Sequence, residues 1–295
     1  MVPRIHLLSA PNWTDYELLD SGQGRKLERF GAYVLDRPEV QAMWPLGLPA
    51  QAWQDSHAVF HPTAEESGGH WQFQKKIPEK WEMRYPRLRF WAMTTPGRHV
   101  GVFPEGAVHW DWMAERIEKA DRPLKVLNLF GYTGLASLTA AAAGASVTHV
   151  DASKKSVSWG RENQLLSGLA DRPVRWIVDD ALKFVLREGR RESRYDGIIL
   201  DPPKFGRGPK GEVWEVYKSL PTLLAACREI LSEDPAFVVL TVYAVKTSAV
   251  QMYYLLNEMM KGLGGTLEAG ELVTEEKSAG RSLSQAIYTR WMATR

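Results

Sequence analysis

From residue 124 onward, short apolar and β-branched runs alternate with helix-like segments, and few architectures accept that order. KVLNLF precedes a helical pattern over 135–143, SVTHVD one over 154–167, VRWIVDD one over 181–190, YDGIILD one over 217–231 and AFVVLTVY one over 248–263. Strands separated by helices predict a parallel sheet covered on both faces. Two more strand-like runs, GTLEAGELVTEE and SLSQAIYTRWMA, follow with no helix between them, so the last is expected to pair antiparallel with its neighbour. The expected fold is α/β: a Rossmann-like, doubly wound, mostly parallel sheet of seven strands whose last strand is antiparallel.

Residues 1–112 have a different character. They hold eight of the twelve tryptophans and ten of the seventeen prolines, which leaves little room for long helices. WQFQ, LRFWAM and HVGVF have the aromatic and β-branched look of strands. A small β-rich N-terminal domain over 1–112 and a larger domain over 113–295 are expected.

Composition narrows the setting. With 44% apolar and 24% charged residues the chain reads as an ordinary globular protein. Its longest apolar runs, 140–143 and 237–242, fall far short of the roughly 20 residues a membrane span needs, so no membrane association is expected. The apolar run in MVPRIHLLSAPNW is too short for a signal-peptide core, and one cysteine allows no intramolecular disulfide, so a reducing, cytoplasmic setting is expected. His57, His61 and His70 form no zinc pattern, and no metal is expected. The formal net charge of +2 does not point to nucleic acid, so any basic surface must come from local clustering.

In an open sheet of this kind ligands bind beyond the carboxyl ends of the strands. That rule puts Phe130, Gly131, Tyr132, Thr133 and Gly134 on one rim with Asp151, the pair Asp179 and Asp180, and Asp201. A carboxylate at Asp151 suits paired ribose hydroxyls, because it offers acceptor sites to both. The loop FGYTG lacks the closely spaced glycines of G-x-G-x-x-G and supplies bulk and one hydroxyl, which matches a cofactor without phosphates better than a pyrophosphate. Asp180, followed by Ala181, can accept from an adenine amino group, with Ala152 and its neighbours walling the base; either Asp179 or Asp180 also suits a helix N-cap. S-adenosylmethionine has such a ribose and adenine and no phosphate.

Taken in order, LNLFGYTG, HVDASKK, VDDA and LDPPKF resemble the class I S-adenosylmethionine-dependent methyltransferases close to the bacterial large-subunit ribosomal RNA methyltransferases. The resemblance runs from Gly101 to the C-terminus. It implies that S-adenosylmethionine is the cofactor and S-adenosylhomocysteine the product. It implies that Asn128, Phe130, Gly131, Tyr132 and Gly134 approach the methionine part, that Asp151 faces the ribose, and that Asp180 and Ala181 face the adenine, with Thr133, Ala152 and Ser153 also among the cofactor-binding residues. Asp201 would stand by the reacting methyl group. HVGVFPEGAVHWDWM resembles the segment that closes over the cofactor, with Phe103, Glu105 and His109 as candidates; for a lone histidine, packing is the simpler role.

One departure redirects the chemistry. Relatives that methylate C5 of cytidine carry a nucleophilic cysteine at the position of Ala244, and here it is missing. The single cysteine, Cys227, lies among apolar residues at helical spacing, where a buried inert thiol is expected. A nitrogen or oxygen acceptor needs no covalent adduct, only in-line placement and an outlet for a proton. In the tetrad Asp201, Pro202, Pro203, Lys204 and the following Phe205, the prolines fix the backbone and leave carbonyls to accept from an exocyclic amine, Phe205 suits stacking on a base, and Lys204 a phosphate.

RNA, of ribosomal origin, is the expected substrate, on the strength of the resemblance and two basic clusters. Lys75, Lys76, Lys80, Arg84, Arg87, Arg89 and Arg98 are interleaved with Trp81, Tyr85, Phe90 and Trp91, and Arg207 and Lys210 follow the tetrad. The plain alternative is that these aromatics form a core while the cations are solvated. Other functions compatible with the sequence are a catalytically inactive cofactor- and RNA-binding protein, a methyltransferase for protein or small molecules, and a nicotinamide-dependent oxidoreductase, the last disfavoured by the missing dinucleotide loop.

Overall fold

The computed structural model describes residues 3–63, 68–243 and 245–294. By contacts the chain divides into two compact units, one formed by Met1–Leu8, Gly106–Leu272 and Gln285–Arg295, the other by Ser9–Glu105 and Val273–Ser284. The 112/113 position marked by composition runs through a helix, Ala107–Lys119, that lies wholly in the first unit.

The first unit is built on a sheet of eight strands. In chain order its elements are β1 (Ile5–Leu8), α1 (Ala107–Lys119), β2 (Lys125–Leu129), α2 (Leu135–Ala142), β3 (Ser146–Asp151), α3 (Lys154–Leu166), β4 (Val174–Val178), α4 (Ala181–Arg190), β5 (Gly197–Leu200), α5 (Val216–Glu229), β6 (Phe237–Val242), α6 (Ala249–Met259), β7 (Thr266–Glu275) and β8 (Ser282–Met292). The strand order is β1-β7-β8-β6-β5-β2-β3-β4. Strands β2 to β6 pair parallel with their neighbours, and β8 runs antiparallel to β6, as the alternation of patterns requires. The strand added to the seven expected is β1, which pairs parallel with β7 through Ile5↔Ala269 to Leu8↔Leu272. Four residues, three of them exposed, carry too little pattern to be read as a strand.

Burial explains the order of the sheet. GIIL of β5 and FVVLTV of β6 are buried along their whole length, which requires cover on both faces, and they occupy the centre. One face carries a broad apolar cluster, where Phe184, Leu223, Leu224, Cys227 and Leu256 of α4, α5 and α6 pack on Leu127, Ile198, Val238 and Leu240. At about 25 cal/mol per Å² of apolar surface removed from water, such burial stabilises the unit.

The second unit is β-rich, with a five-stranded sheet of Tyr16–Gly22, Arg25–Phe30, Tyr33–Pro38, Ala58–Pro62 and Gly69–Phe73, and a separate hairpin of Trp81–Tyr85 with Leu88–Ala92. HVGVF is not a strand. Gly101 has φ of +97°, outside the extended region, which breaks the run between Val100 and Val102. The core of this unit includes a charged cluster: Glu28 accepts from Tyr16 Oη at 2.9 Å and from Arg37 Nε at 2.7 Å, and both Glu28 and Arg37 are buried. Burial raises the Glu28 carboxyl, but Arg37 and Lys26 outweigh it and hold the group below its ordinary value.

Removing one member of that pair strands the other away from water. Arg37→Met is expected to destabilise the unit by about 3–5 kcal/mol, and Glu28→Gln in the same chain to recover a large part of the loss. Denaturant unfolding followed by tryptophan fluorescence reads both; equal midpoints for wild type and Arg37→Met would show that the pair does not hold this core.

Candidate active site

The rim is organised by the loop that joins β2 to α2. Phe130 and Tyr132 have φ of +58° and +51°, a region that bulky residues seldom occupy, and Gly134 has φ of +83°. Such backbone persists only where its surroundings over-determine it. Gly131 N–H donates to the Val150 carbonyl at 3.1 Å, Tyr132 N–H to Asp151 Oδ2 at 2.9 Å, and Gly134 N–H to the Gly131 carbonyl at 3.0 Å. From below, the His149 ring fills the space under Gly131, where a Cβ would stand 2.4 Å from its Cε1; under Gly134 a Cβ would stand 2.6 Å from the Trp176 ring. Gly131 is therefore required by close approach, and Gly134 by close approach and by conformation.

Beneath the loop lies a buried polar chain. Asn128 Nδ2 donates to Ser137 Oγ at 2.9 Å, and Ser137 Oγ lies 3.0 Å from His149 Nδ1. Burial holds the His149 imidazole down at about 3, so it is neutral at physiological pH. Asn128 is only 2% exposed and supports the loop from underneath.

Asp151 is the hinge of the rim. Its Oδ2 accepts from the loop at Tyr132, its Oδ1 accepts from Ser153 N–H at 2.8 Å, and burial raises its carboxyl above the ordinary value despite these two bonds. Each oxygen retains a second lone pair. Ser153 caps α3, its hydroxyl accepting from Ser156 N–H at 3.1 Å, and Ala152 lies half-buried between the two. At the next strand end the two aspartates part company. Asp179 accepts from Asp180 N–H through Oδ1 and pairs with Arg187 through Oδ2, whereas Asp180 caps α4 through Oδ1 to Lys183 N–H at 2.9 Å and keeps Oδ2 without a partner among the described residues.

Asp201 follows β5, its N–H 3.4 Å from the Leu129 carbonyl, with Oδ1 buried. Pro202 is buried, Pro203 exposed, and Phe205 is 51% exposed rather than packed inside. A short hairpin, Phe205–Arg207 with Val213–Glu215, leaves the rim here. Its inner residue Trp214 donates from Nε1 to the Pro203 carbonyl at 2.7 Å and packs its ring on Phe130 at 4.8 Å between centroids. The expectation that both proline carbonyls remain available is therefore corrected: Trp214 takes that of Pro203. Lys204 contributes its carbonyl to Val216 N–H at 3.0 Å, and Arg207 and Lys210 are exposed along the hairpin.

The remaining candidates lie elsewhere. His109 is buried in α1 against the Tyr288 ring and Arg290, and burial holds it at about 3. Phe103 and Glu105 belong by contacts to the β-rich unit, Phe103 against the His99 ring at 4.7 Å and Glu105 buried, its carboxyl raised first by that burial. Cys227 is fully buried and burial raises its thiol well above the ordinary value. Ala244 lies outside the described residues. In the β-rich unit Trp81, Tyr85 and Phe90 are buried on one face of their hairpin and cannot stack on a base. The opposite face exposes Arg84, Arg87 and Arg89, with Glu82 bound by both Arg84 and Arg89, and Lys80 stands 4.7 Å over the half-buried Trp91 ring. Lys75 and Lys76 are exposed. Among the described residues no group of three or more His, Cys, Asp or Glu side chains is placed to hold a metal ion.

The loop amides decide what kind of cofactor fits. Those of Gly131, Tyr132 and Gly134 are all spent inside the protein, so the loop offers a pyrophosphate none of the three, while the acids at 151 and 180 remain for hydroxyl and amino donors. Comparison with known proteins agrees. Residues 16–258 match the model of the S-adenosylmethionine-dependent methyltransferases. The chain belongs to that family. It is similar, at 49% identity and a TM-score of 0.94 over 99% of this chain and 96% of the other, to the crystal structure of a SAM-dependent methyltransferase from Agrobacterium tumefaciens. It is also 30% identical over 194 residues to the ribosomal RNA large subunit methyltransferase K/L of Shewanella sp. (strain ANA-3), and 31% identical over 193 residues to that of Shewanella oneidensis. These matches cover 64% of this chain but 27% and 26% of those longer proteins. The methyltransferase therefore uses S-adenosylmethionine, as the sequence implied.

Residues that sequence reasoning passed over include His149, Ser137, Trp176 and Trp214. Only the histidine beside Asp151 carries any local signal, and a lone histidine in a strand reads as core. The buried imidazole has a measurable consequence. Its folded-state value of about 3 lies below the ordinary 6.5, so the unfolded chain binds the extra proton between these limits. Stability is then full above about pH 6.5 and falls as the pH drops toward 3. His149→Asn is expected to flatten this acid limb by about one proton, read from denaturant unfolding at a series of pH values; an unchanged slope would mean that His149 is not held neutral.

Proposed function

We propose that this methyltransferase transfers the methyl group of S-adenosylmethionine to a nitrogen or oxygen of an RNA, with large-subunit ribosomal RNA as the substrate and the cytoplasm as its setting. The observation that carries the choice of acceptor is the thiol: the sole cysteine is sealed in α5 at 0% exposure. A covalent attack on C6 of a pyrimidine, the route to C5, has no nucleophile of that kind here. The RNA assignment rests on the likeness to the ribosomal RNA methyltransferases, and on the exposed cations of the two hairpins.

The residues fit the cofactor. Asp151 would hold the ribose hydroxyls through the free lone pairs of its two oxygens, Asp180 the adenine amino group through Oδ2, and the loop 130–134 the amino-acid portion. When bound, S-adenosylmethionine supplies an electrophilic methyl carbon on a sulfonium, with S-adenosylhomocysteine as the leaving thioether. The chain's own contribution is placement. The Pro202 carbonyl, without a partner among the described residues, and the Asp201 carboxylate would accept from an amine and hold the departing proton near the rim, while Phe205 would stack on the base. Lys204, Arg207 and Lys210 would meet phosphates, as would Lys75, Lys76, Lys80, Arg84, Arg87 and Arg89.

Two experiments test this. Asp151→Asn is expected to weaken S-adenosylmethionine binding about ten- to a hundredfold by calorimetry, from the loss of charge-assisted bonds worth about 1.5–3 kcal/mol. Wild-type affinity should also fall on acidification, because the carboxyl protonates at a pH above that of an ordinary aspartate. Second, ribosomes from cells lacking the gene are incubated with isotope-labelled S-adenosylmethionine, and the RNA is digested for nucleoside mass analysis. Label in one nucleoside at nitrogen or oxygen is expected, and the Asp201→Ala, Phe205→Ala double variant should not transfer it. Label at C5 of cytidine, or in ribosomal protein alone, would overturn the proposal.

A further inference from the structure

We propose that the outward face of the 205–215 hairpin, together with Tyr217, is a platform for the unpaired nucleotides that flank the acceptor in the RNA. The inference rests on the RNA reading above and adds a surface and a strandedness to it. The hairpin register is Phe205↔Glu215, Gly206↔Trp214 and Arg207↔Val213. Trp214 is buried, so Gly206 shares its inward face, and the alternation of a strand turns Phe205, Arg207, Val213 and Glu215 outward. Val213 and Tyr217 are 56% and 54% exposed, close to the value for Phe205. An apolar face of this kind beside the rim marks a contact surface rather than stray exposure.

Tyr217 is not loose. Its hydroxyl accepts from the Lys246 N–H, so the ring is pinned at one end while its face stays in solvent. A pinned aromatic loses little further freedom when a base stacks on it. The charge around it is one-sided. Glu212 is bound to Lys183 and Glu215 to Lys218, whereas the exposed side chains of Arg207, Lys210 and Lys246 have no acidic partner among the described residues. Cations without partners beside a pinned ring fit a strand that offers phosphates and bare base faces together. Duplex RNA hides its base faces and presents chiefly 2′-hydroxyls and phosphates, and would leave the ring uncovered.

The test uses the full chain and a fluorescein-labelled, mixed-sequence oligoribonucleotide, single-stranded or annealed to its complement, in anisotropy titrations over a salt series. The single strand should bind more tightly than the duplex. Tyr217→Leu, which keeps apolar bulk and removes the π face, should weaken single-strand binding about five- to a hundredfold, whereas Tyr217→Phe should retain most of it. An Arg207→Gln, Lys210→Gln variant should lower the slope of log affinity against log salt by about 1.4. S-adenosylmethionine affinity, measured in parallel, should not change with any of these and reports that each variant is folded. Equal binding by wild type and Tyr217→Leu, or a preference for duplex, overturns the platform while the RNA reading stands. If wild type binds neither oligonucleotide and label enters ribosomal protein alone, the RNA reading falls and the platform with it.

Discussion

The carboxylate of Asp151 is the interaction on which the site depends. It stands at the end of β3, and its two oxygens tie the loop after β2 and the start of α3 to one point through Tyr132 N–H and Ser153 N–H. Its bond to Tyr132 N–H helps to offset the positive φ angles of Phe130 and Tyr132, each costing on the order of 1–3 kcal/mol. The loop is also propped from beneath by the His149 ring. Strain, an acid raised by burial and a neutral imidazole thus occur together where three elements meet, which is where a methyltransferase of this architecture needs a fixed surface.

A second contact links that surface to the segment expected to present the acceptor. Trp214 touches both sides, its ring on Phe130 and its Nε1 on the Pro203 carbonyl. A shift of the glycine loop must therefore be felt at the tetrad, because a packed indole transmits displacement rather than absorbing it. The same indole divides the proline pair: it takes the carbonyl of Pro203, while that of Pro202 has no partner among the described residues. The hairpin that carries Trp214 inward carries Phe205, Arg207 and Val213 outward, so one short ladder serves both the inner scaffold and the outer surface.

The central strands were legible because burial on both faces demands unbroken apolar runs, and no other element writes a signal so plain as GIIL or FVVLTV. Their helices were legible to within a few residues for the same reason of period. Strand β1 was not: four residues at a sheet edge bury too little to imprint a pattern, and their partner lies more than two hundred and fifty residues away, as Ile5↔Ala269 shows. HVGVF had the composition of a strand but contains Gly101, whose positive φ no composition reveals. The aromatics of the Trp81–Tyr85 and Leu88–Ala92 hairpin showed alternation, yet which parity faced the core depended on what packed against it.

What the sequence by itself determined was the order of strand, glycine loop, helix and acid, which is local and follows from spacing along the chain; the family and cofactor came from the resemblance of those motifs. It also determined the shortage of thiols, and so the class of acceptor proposed. The tertiary structure decided which of two adjacent aspartates has both oxygens engaged, which proline carbonyl is occupied, and which aromatics face water. Those outcomes turn on partners distant in sequence, such as Arg187 for Asp179 and Trp214 for Pro203, and a hydrogen bond is assigned only when both of its ends are brought to one place.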